Sequence, residues 1–229
     1  MAGPLADVWP LLFDLAVARP SGWFLAGSQM VILHAAVHGI ARPLATEDAD
    51  VIVDVRELPV ANVSNWLTRS GFELGAISPD GVGHRFHRRG ITIDVLAIDH
   101  VDTSDLTTVP PARTIPVPGG RRAVGRVTSI EVTTADGHTG TIPLPDWLGA
   151  VLLKARAATI GPHQRAKHLQ DLALLLGMPE DLPHWADQMA GRDRAHLRRA
   201  AARLDEHTLR GVAAAVNIND TRAALAYLT

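Results

Sequence analysis

The residue pattern changes character at Pro143 and Pro145, and that change constrains the fold of this chain more than any other feature. Before it, short β-branched runs alternate with helical spacing and with turns marked by Gly and Pro; after it, almost everything has the period of helices. Trp23-Phe24-Leu25-Ala26 reads as a short buried strand that stops at Gly27-Ser28, and Gln29 to His38 continues with helical spacing. Asp48-Ala-Asp50-Val-Ile-Val-Asp54-Val reads as a strand rich in β-branched residues. Residues 5–18 and 60–70 suit helices, 72–77, 84–88 and 91–98 suit strands, and 99–120 is proline-rich and loop-like. A hairpin is expected over 127–134 and 139–142, then helices over 147–160, 163–176, 182–190, 192–204 and 220–228. The pattern predicts an α+β fold: a small mixed sheet with flanking helices over residues 1–144, then a helical bundle over residues 145–229.

With 229 residues, 47% of them hydrophobic, and a net charge of -2, the chain can bury a substantial core and is not intrinsically disordered. A pI near 6.6 argues against a globally basic nucleic-acid coat protein but leaves a local basic face open. The absence of cysteine excludes disulfides, thiolate metal sites and cysteine nucleophiles. No apolar run reaches membrane-spanning length, and no basic segment followed by an apolar stretch opens the chain, so a cytoplasmic location is expected. Of the 22 Lys and Arg residues only Lys154 and Lys167 are lysines, which marks both as places where a compact ammonium serves better than a planar guanidinium.

Asp48 and Asp50 sit two apart on a strand, so their side chains share a face. Two carboxylates that close repel unless a cation lies between them, and an all-oxygen pair suits Mg²⁺. A lone Asp-x-Asp also occurs as two solvated carboxylates at a strand edge, so other residues must decide. Asp94 lies inside the apolar strand Ile91 to Ile98, where a carboxylate needs a partner or a metal. Gly27-Ser28 lies at a strand-to-helix turn, where free N–H groups and the helix dipole favour phosphate, although Gly-Ser also serves as an ordinary turn. Together these residues describe a triphosphate cradle followed by three carboxylates.

This combination resembles the DNA polymerase β-type nucleotidyltransferase superfamily: Gly27-Ser28, then Arg42 and Thr46-x-Asp48-x-Asp50 leading into an apolar strand, then Asp94. Pro145-x-Trp147 with Lys154-Ala-Arg156, followed by Arg165-x-Lys167 and Asp171-Leu172, is similar to the AbiEii-like toxins, including those of mycobacterial toxin–antitoxin systems. The resemblance implies that Ser28 holds the nucleotide phosphate and that Asp48, Asp50 and Asp94 hold Mg²⁺. It further implies that Lys154 meets the triphosphate of an NTP and that Asp171 orients the site. The family often has Lys-Asp before its final Asp, whereas Lys167 is followed here by His168. An RNA acceptor, the 3′ end of tRNA, and a cognate antitoxin are the partners the resemblance implies. A small-molecule transferase of the aminoglycoside or lincosamide type and a catalytically inactive binding module are the alternatives.

Other residues read more plainly. His34 and His38 have a spacing that suits zinc, but no third ligand is evident and core histidines account for them. His84 and His87 flank Phe86 and are candidates for an acceptor pocket, and Asp54 suits a salt bridge. Arg192, Arg199 and Arg203 share a helical face that either meets phosphates or is simply solvated.

Overall fold

The computed structural model describes residues 8–40, 48–160, 165–178 and 180–229. Leu5, Arg42, Thr46 and His163, which enter the sequence reading, lie outside the described residues. No described helix is long and apolar enough to cross a membrane.

The described residues form two compact units. The first takes the chain up to Gln29 and from 48 to Pro145; the second takes Met30 to 40 and everything from Asp146 to Thr229. A single cut after residue 144 is what the sequence pattern implies, whereas the segment following Gln29 counts with the second unit. Met30, Val31, Leu33 and Ala35 of that segment are all buried. Helical spacing announces a buried face but does not say which body covers it.

In the first unit, α1 (Val8–Ala18) precedes β1 (Trp23–Ala26), and α2 (Gly27–Val37) starts directly after that strand. Pro10 is tolerated in α1 because it lies in the first turn, where N–H groups have no intrahelical acceptor. Then come β2 (Asp48–Val53), α3 (Val60–Arg69), β3 (Glu73–Leu74), β4 (Arg85–Arg88) and β5 (Ile91–Ile98). The segment 99–120 is less irregular than its prolines imply. It holds a short 3-10 turn, Thr103–Leu106, and β6 (Pro116–Val117), and leads into α4 (Gly120–Val124). Thr108 and Thr114 anchor it from inside, their hydroxyls donating to the carbonyls of Gly83 and Val95 at 2.7 and 2.6 Å.

The main sheet has strand order β1-β2-β5-β4-β3, with β6 also on β5. β5 runs parallel to β2 and antiparallel to β4, and β1 is antiparallel to β2. Ala49, Val51 and Val53 of β2 and Ile93, Val95 and Ala97 of β5 are completely buried, which makes one face of the central strands apolar. Each of the larger side chains contributes roughly 1.5–3 kcal/mol relative to exposure. The opposite parity carries Asp48, Asp50, Thr92 and Asp94. Such alternation fixes the register, because a slip of one residue would send every carboxylate into the apolar face.

A separate hairpin, β7 (Val127–Thr133) and β8 (Thr139–Pro145), packs through β8 against α1 and β1. At Gly140 the contact is too close for any side chain: a Cβ there would lie 2.2 Å from Cγ of Phe13.

The second unit is built round α5 (Trp147–Ile160), which is buried along nearly its whole length and on all sides. A helix apolar all round belongs at a centre. Against it pack α6 (Arg165–Leu176) and α8 (Gly191–Ala201), while α9 (Glu206–Val212) and α10 (Ile218–Leu228) pack on α6. α7 (Leu182–Asp187) packs on α10. The indole N–H of Trp147 donates to the Leu175 carbonyl at 2.8 Å, tying the start of α5 to the end of α6. The expected helix 192–204 stops at Ala201, and α9, which the pattern does not announce, begins after Asp205. That aspartate accepts the N–H of Thr208 at 2.7 Å and so caps α9.

Gly140→Ala is expected to destabilise the protein by about 1–3 kcal/mol through overpacking against Phe13. Adding Phe13→Leu should recover part of the loss, as measured by urea unfolding.

Candidate active site

The polar face of the sheet brings the three acids of the first unit together. Asp50 stands in register with Asp94 across the parallel pair β2 and β5, and Asp48 with Thr92. The rows continue onto neighbouring strands: Ala26, Asp50, Asp94 and Arg85 form one, and Asp48, Thr92 and His87 the next. Asp94 is 7% exposed, while Asp48 and Asp50 are half-buried.

Gly27 is required where β1 turns into α2. Its φ is +66°, and a Cβ there would come within 1.7 Å of Oδ2 of Asp50. The Asp50 carboxylate therefore lies against the first turn of α2, where the positive end of the helix dipole favours an anion. Ser28, next in the chain, is 2% exposed.

Sequence reasoning missed Arg85. Its Nε donates to Oδ1 of Asp94 at 2.9 Å and its Nη2 to Oδ2 at 2.8 Å, a two-point fork on a carboxylate. These hydrogen bonds, then the charge of Asp94 and those of Asp48 and Asp50, hold the guanidinium above its ordinary pKa despite burial. The available signal was parity: in His84-Arg85-Phe86-His87, Arg85 and His87 alternate with the buried Phe86, so both point to the face opposite it. His87 Nδ1 lies 3.1 Å from the Thr92 hydroxyl, on the acidic face. Burial pushes the His84 imidazole below its ordinary pKa; Asp94 pulls it up and Arg85 pushes it down again. Its Nδ1 is buried with no hydrogen-bond partner among the described residues.

The donor chemistry of Asp48 and Asp50 fits one hard divalent cation, which takes one or two carboxylates and completes its shell with water and phosphate. Asp94 fits less well, because the Arg85 guanidinium already lies beside its carboxylate and a metal ion there would meet that positive charge. Among the described residues, no three acids or histidines converge as a metal-binding group.

Lys154 and Asp171 meet in the second unit. Lys154 Nζ donates to Oδ2 of Asp171 at 2.7 Å, with side-chain exposures of 5% and 1%. Each satisfies the other's charge within the helix bundle. His34 is buried, and Nε2 of His38 lies 3.0 Å from a Glu180 carboxylate oxygen. Asp54 is paired with Arg56 through two side-chain hydrogen bonds. Burial pushes the Asp54 carboxyl up, but the hydrogen bonds and charge of Arg56 outweigh it and the pKa falls.

No protein-family model matches this sequence, and no curated protein matches it. Several solved structures resemble the chain, among them the following two. The crystal structure of an antigenic nucleotidyltransferase-like protein from Paracoccidioides brasiliensis matches with a TM-score of 0.56 and 13% identity, covering 98% of this chain and 93% of that one. The solution structure of the antibiotic-resistance factor ANT(2'')-Ia covers 90% of this chain and 98% of its own, with 12% identity and a TM-score of 0.45. The first likeness shows a nucleotidyltransferase-like fold, and at that identity it speaks to the fold alone; the second adds no weight.

Replacing Lys154 with Met should destabilise the protein by about 3–5 kcal/mol, because it removes one partner of a buried ion pair. The double variant Lys154→Met, Asp171→Leu should recover most of that loss in thermal melts.

Proposed function

We propose that this protein is a nucleotidyltransferase that moves an NMP from an NTP to a hydroxyl of RNA, with the 3′ end of tRNA as the acceptor. The observation that carries the reading is the row of Asp50 and Asp94 beside the Gly27 turn, on a nucleotidyltransferase-like fold. In the reaction, the acceptor oxygen bonds to the α-phosphorus, the bond to the β-phosphate oxygen breaks, and pyrophosphate leaves. Asp48 and Asp50 would hold Mg²⁺, which supplies positive charge for the phosphate oxygens. Asp94 accepts the proton of the attacking hydroxyl, using a lone pair that the Arg85 fork leaves open. The first turn of α2, at Ser28, faces the nucleotide phosphates. Lys154 and Asp171 act here as a positioning pair that holds α5 on α6.

An RNA acceptor is supported by the surface of the second unit. Arg192, Arg198 and Arg199 are exposed on α8. His196 on the same helix has its pKa lowered, first by burial and then by the charges of Arg156, Arg199 and Arg192, with Asp193 opposing. The smaller part of that lowering that comes from Arg156, Arg199 and Arg192 places positive charge around α8, which suits a phosphate backbone. Arg203 is committed elsewhere, since its Nη1 donates to the Ala158 carbonyl near the end of α5 at 2.9 Å. Similarity to the AbiEii-like toxins supports a toxin role opposed by a cognate antitoxin.

The direct experiment incubates the protein with labelled NTPs, Mg²⁺, total RNA and aminoglycosides, and asks which acceptor becomes labelled. Label in tRNA is expected; label in an aminoglycoside would move the reading to small-molecule transfer, and none at all to an inactive binding module. Asp50→Ala should abolish transfer while the melting temperature without metal holds or rises, because one of three clustered negative charges is gone. Arg192→Glu with Arg199→Glu should weaken transfer to tRNA and flatten its dependence on salt, with NTP affinity unchanged. Equal rates for wild type and this variant across a salt series would remove the RNA-docking role.

A further inference from the structure

The three acids of the first unit are not equivalent. Asp94 is gripped at both oxygens by Arg85, and it is the most buried of the three. Asp48 and Asp50 lie on the neighbouring strand, and their charges act on Arg85 after that of Asp94. The row therefore already contains one cation, built from the chain itself and placed by the register of β4 on β5.

We propose that Arg85 takes the place of a metal ion at Asp94, so that this site binds a single divalent cation between Asp48 and Asp50 and Asp94 stays outside its ligand shell. The proposal deepens the nucleotidyl-transfer reading and rests on it for its meaning. The argument is one of charge. The guanidinium already supplies one positive charge at Asp94, which lowers the demand for a metal ion there. A second ion at Asp94 would sit beside the guanidinium, and like charges that close repel. A bidentate fork also fixes the plane of the carboxylate, which a point-like ammonium would leave free to turn toward a metal. Arg85 is thus a positioning residue for Asp94: it keeps that carboxylate aimed without a metal bond.

The test counts Mn²⁺ on the full-length, nucleotide-free protein, by the electron paramagnetic resonance signal of free Mn²⁺ during titration. Wild type should bind one ion. Asp94→Asn should still bind one, at most a few-fold more weakly, whereas Asp50→Asn should lose it. Arg85→Gln should bind two, because Asp94 is released as a ligand. Two ions on wild type, loss of the ion in Asp94→Asn, or a single ion on Arg85→Gln would each overturn the proposal. Thermal melts establish that each variant is folded; should Arg85→Gln fail to fold, the wild-type count and the Asp94→Asn count decide the question. No nucleotide or acceptor is present, so a failure here leaves nucleotidyl transfer standing, and a failure of labelled transfer leaves the ion count standing.

Discussion

Asp50 and Asp94 stand opposite one another on parallel strands, and carboxylates at that spacing repel. At about 4.8 Å between strands and an effective dielectric of 20, the penalty is about 3 kcal/mol. The first unit is arranged to bear it. β4 lies antiparallel to β5 in the register that sets Arg85 beside Asp94, and the Arg85 fork compensates the more buried acid. The less buried Asp50 lies against the start of α2, which is possible only because Gly27 carries no side chain. A one-residue slip of β4 would bring Phe86 to the acidic face and Arg85 to the apolar one. Sheet register and site chemistry are therefore one constraint.

The second unit handles charge differently. Lys154 and Asp171 are taken out of water together, among the buried apolar side chains of α5 and α6. A buried pair of this kind adds little net stability compared with well-packed apolar residues, but losing one partner is expensive. It specifies how α5 and α6 register against each other more than how strongly they adhere. The scarcity of lysine fits this role as well as a phosphate-binding one: a slender stem with a compact ammonium reaches a single buried carboxylate where a guanidinium would need more partners.

Cations also divide the arginines into classes that composition does not reveal. Arg85 and Arg56 grip aspartates, Arg203 meets a carbonyl near the end of a helix, and Arg192, Arg198 and Arg199 remain at the surface. Arg203 shares helical spacing with Arg199, yet the loop after α8 turns it toward α5. The same limit applies to Val17 and Val37, which fit the apolar periodicity of their helices and are nevertheless exposed.

Period and parity are local properties, and the sequence by itself determined what depends on them. It placed β1, β2 and β5 and the central helix α5, separated a mixed sheet from a run of helices, and set Asp48, Asp50 and Asp94 on strands with the parity that the sheet uses. It also marked the Gly27 turn, since a strand that stops at Gly-Ser before a helix leaves few alternatives. Partners distant in the chain were decided only by tertiary structure. The pairing of β4 with β5 made Arg85 the counter-ion of Asp94, the packing of α5 on α6 joined Lys154 to Asp171, and the residues after Gln29 went with the second unit. No local pattern encodes such choices, because a side chain's neighbour across a sheet or between helices depends on strand order and packing, which the whole chain settles together.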